Sequence, residues 1–206
     1  IVPNDFSFGE LPEDFEHFEP YLKHAIKRIP ALEQAGIRKF FCGPESFTPD
    51  TNYLLGETPE VKNFFVCCGF NSIGLVSAGG AGRVTAEWIM NGGVNEDLFS
   101  LDIRRFEKFH SELKFITERV TESLGDLYAM HWPYKQHCTS RNQKLLPYHE
   151  NLKTAGACFG VNAGFERPMW YALKNKKAEY KYSFNHQNWY ESASFETMQS
   201  RKNVAL

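Results

Sequence analysis

The residues best placed to do chemistry lie in GFNSIGLVSAGGAGRVTAEW, a glycine-rich run from Gly69 to Trp88 between an apolar stretch and a helical pattern. Glycine at this density lets backbone N–H groups approach a ligand or another backbone closely. A dinucleotide fingerprint would use Gly80 and Gly82 at the mouth of a helix, with Asp102 downstream for a ribose hydroxyl. Its glycines belong in the turn directly after the strand, whereas FFVCC ends well before Gly80, and Thr85 occupies the third glycine position. A long helical pattern follows Asp102 in place of strand–helix alternation. A P-loop fails too, because no Gly-Lys-Ser/Thr occurs. Two readings stay open: glycines that permit close packing where a strand turns into a helix, and a loop plus helix N-terminus whose bare N–H groups face an electron-rich ring. A reduced flavin is such a ligand, since its N1–C2=O edge gains negative charge on reduction. Fixed N–H donors and a positive helix end would favour hydride acceptance there.

Other chemistry-bearing residues are scattered. Glu45, His110 and His131 are the general-base candidates, because removing an amine proton or ordering a substrate can use either residue type. Each also has a structural reading, Glu45 as a solvated strand residue and both histidines as packing groups. His131, His137 and Cys138 in HWPYKQHC could bind a metal, but match no established ligand spacing, so no metal is expected. Glu166 and Arg167 in FERP suggest an anchoring ion pair. A substrate carboxylate would attract an arginine, yet no single arginine stands out.

The five cysteines, at 42, 67, 68, 138 and 158, are odd in number and lack a C-x-x-C spacing, which suits a reducing compartment. A net charge of −2 with Lys and Arg spread along the chain gives no electrostatic argument for nucleic acid or a membrane surface. No apolar stretch reaches the length of a bilayer span. Eighteen Phe, nine Tyr and four Trp in 206 residues favour a well-packed interior or a flat-ligand site.

Elements must position these groups. Phe15, Phe18, Leu22, Ala25, Ile26 and Ile29 recur at helical spacing, with Pro20 suited to a helix's first turn. DFSFGE, IRKFFCG, ESFT, NYLLGE, VKNFFVCCGF and LFSLDI read as strands, and TPD as a turn. From Gly79 the pattern turns helical and stops at NGG. SELKFITERVTESLGDLYAM predicts a long helix with Leu113, Ile116, Val120 and Leu124 on its apolar stripe. Short elements follow around HENLKTAG and CFGVNAGFERPMWY, then a polar stretch and a final helix near NWYESASFETMQS. The start at IVPNDF without Met and the end at SRKNVAL read as an excised piece.

Three segments carry a resemblance: GPESFTPD at 43–50, GFNSIGLVSAGGAGRVTAEWI at 69–89 with DIRRF at 102–106, and YAMHWP through GFERPMWY at 128–171. Together, in this order and over nearly the whole chain, they resemble the dimethylglycine dehydrogenase and sarcosine dehydrogenase family of FAD-dependent enzymes that oxidise N-methyl amino acids. The resemblance implies a mixed α+β piece of α/β class, the C-terminal part of a D-amino-acid-oxidase-like FAD domain plus a connecting central domain. Residues 1–45 would end a substrate-binding sheet subdomain and 46–104 would close the FAD domain. Residues 105–187 would be the central domain, and 188–206 the start of an aminomethyltransferase-like domain. Gly69, Phe70, Asn71, Ser72, Ile73, Gly74 and Leu75 match the family's flavin-ring segment; Gly43 and Pro44 would turn the chain nearby.

In such parents hydride passes from substrate to flavin and electrons leave to an electron-transfer flavoprotein. The one-carbon unit is hydrolysed or caught by tetrahydrofolate in a later domain, which places the protein in one-carbon metabolism. The mitochondrial matrix, or the cytoplasm of a bacterium, would house it. The chain lacks the family's strand-G-x-G-x-x-G-helix unit and its flavin-bearing His, so by itself it is expected not to hold FAD. The regulatory subunit of pyruvate dehydrogenase phosphatase, a related protein with similar GPESFTPD and GGAG segments, is the alternative parent.

Overall fold

The structure, a computed structural model, describes residues 5–7 and 9–204. The DFSFGE reading therefore falls partly outside the described residues at Phe8, as does the end of SRKNVAL. The chain divides into two compact units, Ile1–Ser46 and Phe47–Leu206.

In the first unit, helix α1 spans Phe15–Arg28. Its N-cap is Asp14, whose carboxylate accepts from His17 N at 2.9 Å, satisfying one of the orphan donors of the first turn. The helix begins earlier than Pro20 suggested, so Pro20 sits inside it, and its missing N–H removes one ladder bond. Phe15, Phe18 and Phe40 pack edge to face or tilted, with centroids 5.2–6.2 Å apart. Neither IRKFFCG nor ESFT forms a strand; the segment makes one bridge, Leu11 to Cys42, with Leu11 N donating to Cys42 O at 2.7 Å.

The second unit opens with a hairpin of β1 (Leu54–Glu57) and β2 (Phe65–Cys68), antiparallel, with Leu55 opposite Cys67. Helix α2 follows over Gly74–Asn91 and ends on Gly92 in the left-handed conformation, whose N–H donates to Trp88 O at 2.9 Å, as NGG predicted. Leu55, Ala81 and Val84 form a buried cluster, with Tyr53, Phe70 and Leu101 against it. Gly56 is required here. Its φ is +102°, and a β-carbon would lie 2.6 Å from the Trp88 ring. LFSLDI is no strand: it meets β1 through one parallel bridge, Leu55 to Asp102, and then forms a 3₁₀ turn over Ile103–Arg105.

Helix α3 covers Leu113–Tyr128. Its buried face is not the apolar stripe read from sequence. Phe115, Arg119 and Ser123 are buried, while Leu113 is 69% exposed. The polar pair faces inward because each satisfies a loop carbonyl: Ser123 Oγ donates to Pro49 O at 2.7 Å, and Arg119 Nη2 to Thr139 O at 2.6 Å. A three-stranded sheet in the order β3–β5–β4 completes the unit, with β3 at Lys144–Leu145, β4 at Ala157–Asn162 and β5 at Phe165–Tyr171. Strands β4 and β5 are antiparallel and joined by Ala163 and Gly164, both at positive φ, the geometry of a two-residue hairpin that matches strand twist. Strand β3 runs parallel to β5. Helix α4 (His149–Thr154) precedes β4, and α5 spans Tyr190–Asn203, with Glu196 accepting from Tyr171 N at 2.7 Å. Among the described residues no helix is long and apolar enough to cross a membrane.

Candidate functional site

Two segments separated in sequence build the turn that opens α2. Asn71 is 2% exposed, and its Oδ1 accepts from Thr48 N at 2.8 Å while its Nδ2 donates to Gly69 O at 2.6 Å. Thr48 Oγ1 donates to Asn52 O at 2.8 Å, closing the TPD turn on itself. Gly69, Asn71 and Ser72 all lie at positive φ, +69°, +48° and +66°, so the chain between β2 and α2 is sharply folded. Asparagine tolerates this region better than most side-chain-bearing residues. Asp50 carries the construction further. It receives a two-pronged bond from Arg105, Nε to Oδ2 at 2.7 Å and Nη2 to Oδ1 at 3.0 Å, and Arg105 also donates to Asn52 O and Leu101 O, each at 2.8 Å. Bidentate pairing of this kind fixes orientation as well as distance. Thus GPESFTPD, GFNSIG and DIRRF meet through Thr48–Asn71 and Asp50–Arg105.

The helix starts at Gly74, five residues before the sequence pattern turned periodic. Ile73 is the N-cap, and the first intrahelical bond runs from Ser77 N to Ile73 O at 3.0 Å. The N–H groups of Gly74, Leu75 and Val76 precede that bond and have no partner within the helix. Leu75 is fully exposed and Val76 is 84% exposed, so this end of α2 presents donors and apolar carbons on an open surface. Phe70 turns inward and stacks on Tyr53 at 4.8 Å. Bare N–H donors at a positive helix end fit the electron-rich edge of a flavin ring. The Asn71 side chain is spent on Thr48 and Gly69, which leaves it a positioning part of the segment.

Gly79, Gly80 and Gly82 lie inside α2, with no described atom within 4 Å of the β-carbon that each lacks. They neither open the helix nor accommodate a close neighbour among the described residues. Asp102 caps the following 3₁₀ turn, accepting from Arg104 N at 2.8 Å, so its carboxylate has a local structural task.

The general-base candidates differ in environment. Glu45 is exposed and belongs to the first unit. His131 is exposed, with Nδ1 3.2 Å from Trp132 O. His110 is packed against Phe109, centroids 4.0 Å apart, and accepts from Glu107 N at 2.9 Å through Nδ1; burial holds it below the ordinary histidine range. The metal reading changes membership. Glu122, Asp126 and His137 present ligand atoms within 4.8 Å of one another, without His131 or Cys138. The two carboxylates are already engaged: Glu122 by Cys138 N at 2.7 Å and Thr139 N at 2.9 Å, and Asp126 by Lys135. The ion pair expected of Glu166 and Arg167 forms with a different arginine. Glu166, 1% exposed, takes Arg141 Nε at 2.7 Å and Asn142 N at 2.8 Å, while Arg167 is exposed. Neighbouring strand residues point to opposite sheet faces, which is why sequence adjacency misled. Burial alone would raise the Glu166 carboxyl, but the Arg141 and Asn142 bonds bring it below its usual range.

Two family models match the chain: FAD dependent oxidoreductase over residues 3–88, and FAD dependent oxidoreductase central domain over residues 91–145. The chain belongs to the FAD-dependent oxidoreductases and, within them, to the family of the dimethylglycine and sarcosine dehydrogenases. It is 41% identical over its whole length to 4-methylaminobutanoate oxidase (formaldehyde-forming) of Paenarthrobacter nicotinovorans, covering 25% of that protein. Mitochondrial sarcosine dehydrogenase of Mus musculus is 41% identical over 82% of the chain and 19% of its own length. The mitochondrial pyruvate dehydrogenase phosphatase regulatory subunit of Mus musculus is 34% identical over 98% of the chain and 24% of its own length; human dimethylglycine dehydrogenase stands at 28%. The chain thus spans about a quarter or less of the length of these relatives.

Proposed function

We propose that the full-length protein is a FAD-dependent amine oxidoreductase acting on a small N-methyl amino acid, and that residues 69–75 hold one edge of its flavin. The observation that carries this reading is the open helix end at Gly74–Val76, fixed by the buried Thr48–Asn71 link, in a chain of this family. When bound, FAD supplies a two-electron acceptor for substrate hydride. This chain's own residues supply direction and potential: Gly69, Phe70, Asn71, Ser72 and Ile73 set the turn, and Gly74 and Leu75 present N–H groups where negative charge develops. The substrate class rests on relatives named for 4-methylaminobutanoate, sarcosine and dimethylglycine, all methylated amines bearing a carboxylate. In the full-length protein, residues 1–45 end the substrate sheet, 46–104 close the FAD domain, 105–187 form the central domain and 188–206 lead into a folate-binding domain. Electrons leave to an electron-transfer flavoprotein. The mitochondrial matrix suits a eukaryotic source and the cytoplasm a bacterial one.

The test is anaerobic mixing of the purified full-length protein with sarcosine, dimethylglycine or 4-methylaminobutanoate while flavin absorbance is followed. Bleaching by one of them, slowed by Leu75→Asp through repulsion at the ring edge, is the expected result. A full-length protein without flavin would overturn the proposal. The phosphatase regulatory subunit among the relatives gives a second reading, in which none of the amines bleaches the protein and it binds a phosphatase catalytic subunit instead.

A further inference from the structure

A cavity of about 480 Å³ lies within the Phe47–Leu206 unit, and no residue of 69–75 lines it. Its wall carries four fixed cations, Arg104, Arg105, Arg119 and Lys144, against two carboxylates, Asp50 and Glu107. Those carboxylates are committed, Asp50 to Arg105 at 2.7 Å and Glu107 to Lys144 at 2.6 Å. Arg104 is paired with Asp102. Arg119 differs from the other three. It is 6% exposed and makes no ion pair among the described residues, and its hydrogen bonds run from Nη2 to the carbonyls of Thr139 and Ser140. Its Nε is buried without an acceptor, whereas Nδ1 of His137 on the same wall lies 3.8 Å from Glu122 Oε2. Buried polar groups are nearly always satisfied, and a buried guanidinium left with an unused N–H is a costly exception. A guanidinium on a cavity wall without a carboxylate beside it leaves a place for an anionic group in that space.

We propose that this cavity binds a small monocarboxylate with an apolar body, its carboxylate on Arg119 and its body against Val161 and Phe165. One guanidinium without an ion-pair partner calls for one negative charge, whereas a phosphate brings nearly two. The cationic excess of the wall repels an ammonium group, so the site selects against amino acids, including the methylated amines of the function proposed above. The ligand is therefore not that substrate, and the inference stands independently of that reading.

Titration calorimetry on the full-length protein tests it, with hexanoate as the probe and inorganic phosphate and sarcosine as comparisons. Saturable hexanoate binding is expected, undiminished by sarcosine and weakened at least tenfold by Arg119→Lys, which keeps the charge and loses the planar fork. Val161→Phe, which fills the cavity and leaves every cation in place, is expected to abolish binding, and it carries the test should the lysine variant fail to fold. The proposal is overturned by absence of hexanoate binding, by binding equal in the variants, by displacement with sarcosine, or by tighter binding of phosphate.

Discussion

Asn71 and Thr48, 23 residues apart, exchange hydrogen bonds in both directions: Thr48 N donates to Oδ1 at 2.8 Å, and Nδ2 donates to Thr48 Oγ1 at 3.2 Å. The pair is buried, so neither residue can turn to water if its partner is lost. Asn71→Ala leaves the Thr48 N–H without an acceptor and places alanine at positive φ. The expected loss is about 2–3 kcal/mol, read as a lower urea midpoint of the full-length protein, accompanied by weaker flavin retention. A change within about 0.5 kcal/mol, the usual range for an inconsequential surface site, would show that the link does not hold the turn.

Glycines at 56 and 82 should respond oppositely to alanine. At Gly56 the added carbon meets the Trp88 ring at 2.6 Å on a backbone at φ +102°, so a loss of about 2 kcal/mol or more is expected. Gly82 stands inside α2 with open space beside it, and alanine should stabilise by about 0.5–1 kcal/mol. Thermal unfolding of the two variants separates the cases. Destabilisation by Gly82→Ala would mean that another part of the full-length protein covers this face.

The Glu166–Arg141 pair makes stability depend on acid. The folded carboxyl lies below its ordinary value, so its contribution is fully present above the unfolded value of about 4.3 and is lost as pH falls through the depressed folded value. Urea midpoints from pH 7 down to strongly acid solution should fall more steeply in the parent than in Glu166→Gln. Arg141→Met should cost about 3–5 kcal/mol near neutrality, because it strands a buried carboxylate. Parallel acid limbs in parent and Glu166→Gln would sink this account.

Residues 1–206 expressed alone should purify colourless. N–H donors along one ring edge supply too few contacts to offset the cost of immobilising a large dinucleotide. Stoichiometric yellow protein would contradict this.

Helix existence was legible wherever apolar periodicity was sustained, as at Phe15–Arg28 and Leu113–Tyr128. The face was not always legible. Phe115, Arg119 and Ser123 line the buried seam because distant carbonyls at Thr139 and Pro49 need donors, which no local pattern announces. The start of α2 was read late, since glycine's low helix propensity hid a helix held by its Ala81, Val84 and Trp88 face. The turn between β2 and α2 was legible as a glycine-rich run after a strand. The buried task of Asn71 was not, because it depends on Thr48, and Glu166's partner lay 25 residues upstream instead of next door.

The Asp50–Arg105 fork joins a residue from the stretch matched by the FAD model to one from the stretch matched by the central-domain model. The seam at residues 88–91 therefore divides a lineage description without dividing a mechanical part. A gene rearrangement that exchanged the downstream stretch would have to bring an arginine matched to this aspartate. Modules cut at that seam should travel through evolution as a couple, and chimeras spliced there should fail unless both ends of the fork come from one parent.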